Sequence, residues 1–195
     1  MVAYRRNRGM DGPPLKEGAV FGVFSFVAGY GLTLIAVAVG ESGDLSDTLL
    51  EAAGWIYYNA QFADLTVTAD AGEQSRSTSF NYLTDDTLFG SSVETLDLPT
   101  VVYHLLPILV LIGSGFALAR YVDAREVSDG AVAGGTLALG TILPALVGTV
   151  LFSVEEGFLL GSVEVSPALV DGILFVGVFF PVVFGAIGGA LSTKL

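Results

Sequence analysis

Hydrophobic positions along this chain fall into four long runs separated by polar segments of very unequal length. The first run, residues 18–40 (GAVFGVFSFVAGYGLTLIAVAVG), carries no charge at all, and three more cover residues 100–119, 131–154 and 168–191. About 20 residues at about 1.5 Å each cross a hydrocarbon core of about 30 Å, so each run is long enough to be a transmembrane helix. None keeps the polar stripe that a water-facing helix needs. The pattern predicts an all-α membrane protein with a small β element, built as a four-helix transmembrane bundle.

The polar segments set the expected orientation. Residues 1–17 contain Arg5, Arg6, Arg8 and Lys16, with Pro13 and Pro14 interrupting any continuous helix, and read as a cytoplasmic tail ahead of a single membrane domain, 18–195. A basic leader before an apolar run also has the form of a secretory signal, with Ala36-Val37-Ala38 as its cleavage site, but the run is long for a signal core. The link between the second and third runs holds Arg120 and Arg125, and the link between the third and fourth holds Glu155, Glu156 and Glu164. With both termini in the cytoplasm, seven of the eight basic residues lie inside, leaving only Arg76 outside, and fifteen of the twenty acidic residues lie outside.

The outer segment 41–99 is the only one long enough to fold outside the bilayer, and it predicts an extracellular cap. Leu45, Leu49, Ala52, Ala53 and Ile56 recur at three- and four-residue spacing, and Thr48-x-x-Glu51 has capping-box form. A helix over 47–59 lying on the membrane surface would hold Trp55, Tyr57 and Tyr58 at headgroup level, where amphipathic rings prefer to sit. Residues 62–69 and 76–83 alternate in strand fashion around a polar turn at 70–75 containing Gly72, which predicts a β-hairpin.

Composition sharpens the class. Hydrophobic residues make up 52% and charged residues only 14%, against about 25% charged in an ordinary soluble domain. The net charge of -12 argues against a nucleic-acid partner, since phosphate recognition needs a basic face. Two sources of acidity stay open, cation binding and adaptation to concentrated salt, and the scarcity of lysine points to the second. With no cysteine there is no disulfide, thiolate metal site or cysteine nucleophile.

Small residues four apart let helix backbones approach closely. Gly18 and Gly22, Gly130 and Gly134, and Gly185 and Gly189 therefore mark helix contacts, within the chain or between subunits. Pro107, Pro144 and Pro181 each bend one of the last three helices, as packing kinks or as hinges. Ionisable groups in the spans are restricted to His104, Asp171 and the Glu155-Glu156 pair, all near the outer helix ends. His104 and Asp171 are at similar depth, which makes a hydrogen-bonded proton or cation site one reading and plain interfacial placement the other. No charge lies near the middle of a span, which weighs against ion-coupled transport.

Several chemistries fail on inventory. A single histidine cannot hold bis-histidine haem, and the only lysines, Lys16 and Lys194, lie at the cytoplasmic edges rather than where a retinal Schiff base would form. Leu111-Ile112-Gly113-Ser114-Gly115 has the look of an intramembrane serine protease, but His104 is ten residues away on the same helix, about 15 Å along the axis. No zinc-helix, P-loop or dinucleotide pattern is present. No catalytic residue, cofactor or metal ligand is expected.

By order of elements, the chain resembles the claudin-type four-helix architecture, with Ala53-Gly54-Trp55 in place of its tryptophan signature and without the accompanying cysteine pair. The stretch AGWIYYNAQF (53–62) is similar to a segment of small haloarchaeal membrane proteins of unknown function, often labelled only as candidate transporters; that resemblance implies residence in the membrane and little else. The expectation is a non-enzymatic, multi-pass protein of the cell membrane that acts in assembly, with the lipid bilayer and copies of itself or other membrane subunits as partners. The rival expectation is a small channel or transporter with acidic extracellular mouths.

Overall fold

Four helices long and apolar enough to cross a membrane dominate the computed structural model, at Leu15–Val39, Thr100–Tyr121, Val127–Leu151 and Leu169–Ser192. Residues 12–40, 48–71, 74–84, 87–88, 91–92, 98–159 and 161–194 are described. Arg5, Arg6 and Arg8 of the tail, Leu45 and Asp47 at the start of the cap helix, and Gly72 of the hairpin turn lie outside them.

The first helix, α1 (Leu15–Gly40), begins earlier than its charge-free run because Pro13 and Pro14 start it rather than keep it at a distance. A proline needs no hydrogen-bond acceptor in the first turn, and the Gly18 N–H donates to the Pro14 carbonyl at 2.8 Å. The second span is α3 (Thr100–Tyr121), reached after the cap helix α2 (Leu49–Asn59). The third is broken: α4 (Val127–Gly135) and α5 (Ala138–Leu151) meet at a tight turn on Thr136 and Leu137, well before Pro144. The fourth runs from α6 (Leu169–Asp171) through a π-helix (Gly172–Phe179) into α7 (Phe180–Ser192).

Proline chemistry explains the wide turn in the fourth span. Pro181 has no N–H to give the Gly177 carbonyl four residues back, and an orphaned carbonyl in an apolar interior is costly. The Thr141 hydroxyl of α5 donates to it at 2.7 Å, so a neighbouring helix supplies the missing bond.

The bundle is a ring in which α1 packs on α3 and α5, while α7 packs on α3 and α4 and the π-helix packs on α5. Glycine makes the closest seams. A Cβ on Gly134 would collide with the Gly185 carbonyl and one on Gly130 with the Gly189 carbonyl, while Gly18 lies against Thr136 and Gly22 against Leu137 and Gly140. All six predicted glycines thus face partners within the chain. Inward positions also take hydroxyls such as Ser25, Thr33 and Ser192, each donating to a carbonyl of its own helix. Large apolar side chains such as Phe24, Val27, Val39 and Leu143 point outward, which is the distribution expected where lipid replaces water.

One end of the bundle carries a four-stranded antiparallel sheet, in the order β2-β1-β6-β5. Strands β1 (Leu65–Ala71) and β2 (Gln74–Phe80) form the predicted hairpin. Two further short strands, β3 (Thr87–Leu88) and β4 (Ser91–Ser92), pair separately. The other half of the sheet, β5 (Val154–Phe158) and β6 (Gly161–Pro167), comes from the link between the third and fourth spans, where no strand was expected. Strand β6 pairs with β1 over its full length, from Leu65 opposite Pro167 to Ala71 opposite Gly161. One face buries Leu65, Val67 and Phe80 against Trp55, Tyr82, Val163 and Val165; the other face is polar. The opposite end of the bundle is closed by a short turn in which Asp123 takes a left-handed φ of 54° and accepts a hydrogen bond from Arg125 at 2.7 Å.

Candidate functional site

The most elaborately built region is where α2 enters the sheet-bearing end of the bundle. The cap helix, expected to rest on a membrane surface with its rings at headgroup level, turns its tyrosines into the protein. Ala53, Ile56, Tyr57, Tyr58 and Asn59 are all buried, because glycines on three other elements open room for the rings. Tyr57 lies against Gly29 of α1; Tyr58 fits between Gly148 of α5 and Gly172 of the π-helix; Phe152 fills the space above Gly54. The Tyr57 and Tyr58 rings meet edge to face at 6.2 Å, and Phe26 and Phe152 extend the stack. Tyr57 and Tyr58 are therefore inside protein rather than at an exposed headgroup level.

Polar atoms in this plug are matched. The Tyr58 hydroxyl donates to the Ala145 carbonyl at 2.5 Å. Burial pushes the phenols of Tyr57 and Tyr58 above the ordinary tyrosine range, so both remain neutral. Trp55, half-buried, donates from its indole nitrogen to the Phe152 carbonyl at 2.7 Å and stacks on Tyr82, tying α2 to both the bundle and the sheet. Asn59 donates to the Ala63 carbonyl and accepts from the Tyr82 N–H, each at 2.8 Å, while the Asn81 side chain caps the Leu83 N–H at 3.0 Å. Buried amides of this kind fix one geometry, since leaving any one unpaired is expensive.

The chain leaves α2 through Phe62, whose φ of 61° lies in the left-handed region. That turn lets the N–H groups of Gln61, Phe62 and Ala63 satisfy the last carbonyls of α2. It also sends the Phe62 ring sideways, onto His104 at 5.2 Å and Phe180 at 5.9 Å.

His104 and Asp171 do not pair. The His104 ring hydrogen-bonds the Ala60 carbonyl at 2.7 Å, and because a carbonyl only accepts, Nδ1 carries the proton. Asp171 is half-buried in α6 with no hydrogen bond to His104. Glu155 and Glu156 are exposed on β5, outside any helix, while Glu164 on the adjacent strand accepts from Ser153 at 2.8 Å. Among the described residues no three His, Asp or Glu side chains converge as a metal site. Pro107 and Pro144 sit inside α3 and α5, and Pro181 at the head of α7. At the far end from the sheet, a shallow groove of about 190 Å³ lies between α1 and α3, lined by Lys16, Glu17, Val20, Phe21 and Tyr121. Nothing in residue spacing pointed to it, because it depends on how two distant helices splay.

Structurally, the class defined here is a helix-rich chain with four apolar candidate spans, sealed at one end by an aromatic helix and a small antiparallel sheet. The chain belongs to a family of unknown function, DUF7978, whose model matches residues 3–195. No curated protein and no solved structure matches it.

Proposed function

We propose that this protein is a non-enzymatic, multi-pass component of the cell membrane that works by assembly, as a homo-oligomer or as an accessory subunit of a larger membrane complex. In this reading both termini are cytoplasmic and the sheet is extracellular, as the distribution of arginine and lysine favours. The acidic, lysine-poor composition fits a haloarchaeal protein exposed to concentrated salt.

The observation that carries the reading is how the two ends of the chain's packing are spent. Glycine seams and the Tyr57–Tyr58 plug are consumed inside one protomer, whereas the sheet ends in strands whose outer edges pair with no described residue. Mass measurement of the full chain extracted in mild detergent tests it. A complex larger than one chain, with itself or a co-purifying subunit, is the expected result; a lone monomer would overturn assembly.

The second reading is a small channel or transporter, favoured by exposed Glu155, Glu156 and Glu164 at the outer mouth, which would concentrate cations. Because aromatic rings fill the outer end of the bundle, the path would run between protomers. Cation flux into vesicles reconstituted with the purified chain distinguishes this reading from the first.

A further inference from the structure

We infer that neighbouring copies of this chain join sheet to sheet, with β5 of one copy laid antiparallel along the outer edge of β2 of the next and Glu156 opposite Arg76. The inference rests on the assembly reading above and names its partner and contact surface.

Among the described residues, both outer edges of the sheet are open. The order β2-β1-β6-β5 leaves one side of β2 and one side of β5 with backbone N–H and C=O groups that no described strand takes. Such edges template the addition of another strand. Here the two edges differ in charge. Arg76, the one base between Lys16 and Arg120, is on β2; Glu155 and Glu156 are on β5. All three are exposed, and among the described residues none makes an ion pair or side-chain hydrogen bond within its own copy.

Register turns this complementarity into a specific fit. Arg76 is opposite Ala69, Ala69 opposite Val163, and Val163 opposite Glu156, so Arg76 and Glu156 end the same row on the same face. The bilayer holds copies at one height. A neighbour at that height continues the row and sets its Glu156 directly across from Arg76. Three antiparallel steps separate β2 from β5, so they run in opposite directions, and a copy turned modestly about the membrane normal presents β5 antiparallel to β2. The remaining facing pairs, Gln74 with Phe158, Ser75 with Gly157, Ser77 with Glu155 and Thr78 with Val154, contain no like charges. Joining β2 to β2 would crowd Arg76 against its copy, and joining β5 to β5 would crowd four glutamates, both unfavourable across strands. The contact is head to tail, and so builds rings or rows rather than closed pairs.

A chain without cysteine makes the test free of background. Ser75 and Gly157 end a second shared row, and a side chain added at Gly157 meets open space. Full-length chains carrying Ser75→Cys and Gly157→Cys together are oxidised in native membranes. A ladder of covalent multimers is expected, with little product from either single variant. Adding Arg76→Glu should lower the ladder yield several-fold, and Glu156→Arg on top of it should restore the yield; unchanged melting temperatures in detergent confirm that the variants fold. Cross-linking by Ser75→Cys alone as efficient as by the pair would overturn the head-to-tail contact in favour of β2 on β2. No ladder beside an oligomeric mass in detergent would overturn this interface and leave assembly standing, whereas no ladder and a monomeric mass would remove both.

Discussion

The spans and the capped end are held together by opposite means. Between spans the tight contacts are backbone on backbone: Gly185 sits where Gly115 and Gly134 both approach, with no side chain between. At the capped end, side chains make the contacts, with Tyr58, Trp55 and the buried amide of Asn59 bridging from α2 to α5, to Ala63 and to Tyr82. Helices apolar enough to be surrounded by lipid gain little from burying a leucine, so close approach of small residues supplies their packing. Where α2 enters the bundle, aromatic burial and matched hydrogen bonds both stabilise, and large rings fill the room that Gly29, Gly148 and Gly172 leave.

The sharpest way to break this contrast is to put a side chain into a glycine seam. Gly185→Leu drives carbon into the Gly134 backbone, which cannot move aside as a side-chain end would, and should cost about 3 kcal/mol or more. Failure to recover folded chain from mild detergent is the expected readout. In the cap the corresponding loss is a cavity. Tyr58→Ala should cost about 3–5 kcal/mol, while Tyr58→Phe keeps the ring, loses the bond to the Ala145 carbonyl and should cost about 1 kcal/mol. Thermal melts of the detergent-solubilised chain separate the two. Thr141→Val preserves shape but strands the Gly177 carbonyl, for a loss of about 1–3 kcal/mol in the same melt. Least disruptive is Gly31→Ala in α1, where a Cβ meets open space; gaining helix propensity, it should raise stability by up to about 1 kcal/mol.

The spans were legible because long charge-free runs admit few other solutions, and the first hairpin because residues 65–71 alternate cleanly. The second hairpin carries a similar signal, with Val163 and Val165 facing in and Ser162, Glu164 and Ser166 facing out, but so short a link between two spans reads equally well as a plain loop. Trp55, Tyr57 and Tyr58 satisfied the rule for interfacial rings equally well whether they faced headgroups or protein. Only the glycines opposite them, Gly29, Gly148 and Gly172, decide for burial of the two tyrosines, and those lie on three separate elements. His104 and Asp171 shared a depth along the helix axes, yet depth says nothing about rotation. The His104 ring is taken instead by Ala60 and Phe62, whose position depends on the left-handed turn at the end of α2.

Pairing of β1 with β6 has a consequence for how the protein is made. During synthesis β1 and β2 emerge after the first helix, but β6 appears only once the second and third helices have been produced and the fourth is about to follow. Until then one side of β1 has no mate. Completion of the sheet therefore waits on α3, α4 and α5, the three helices between the two strands, and a chain halted before that point leaves one edge of β1 unzipped.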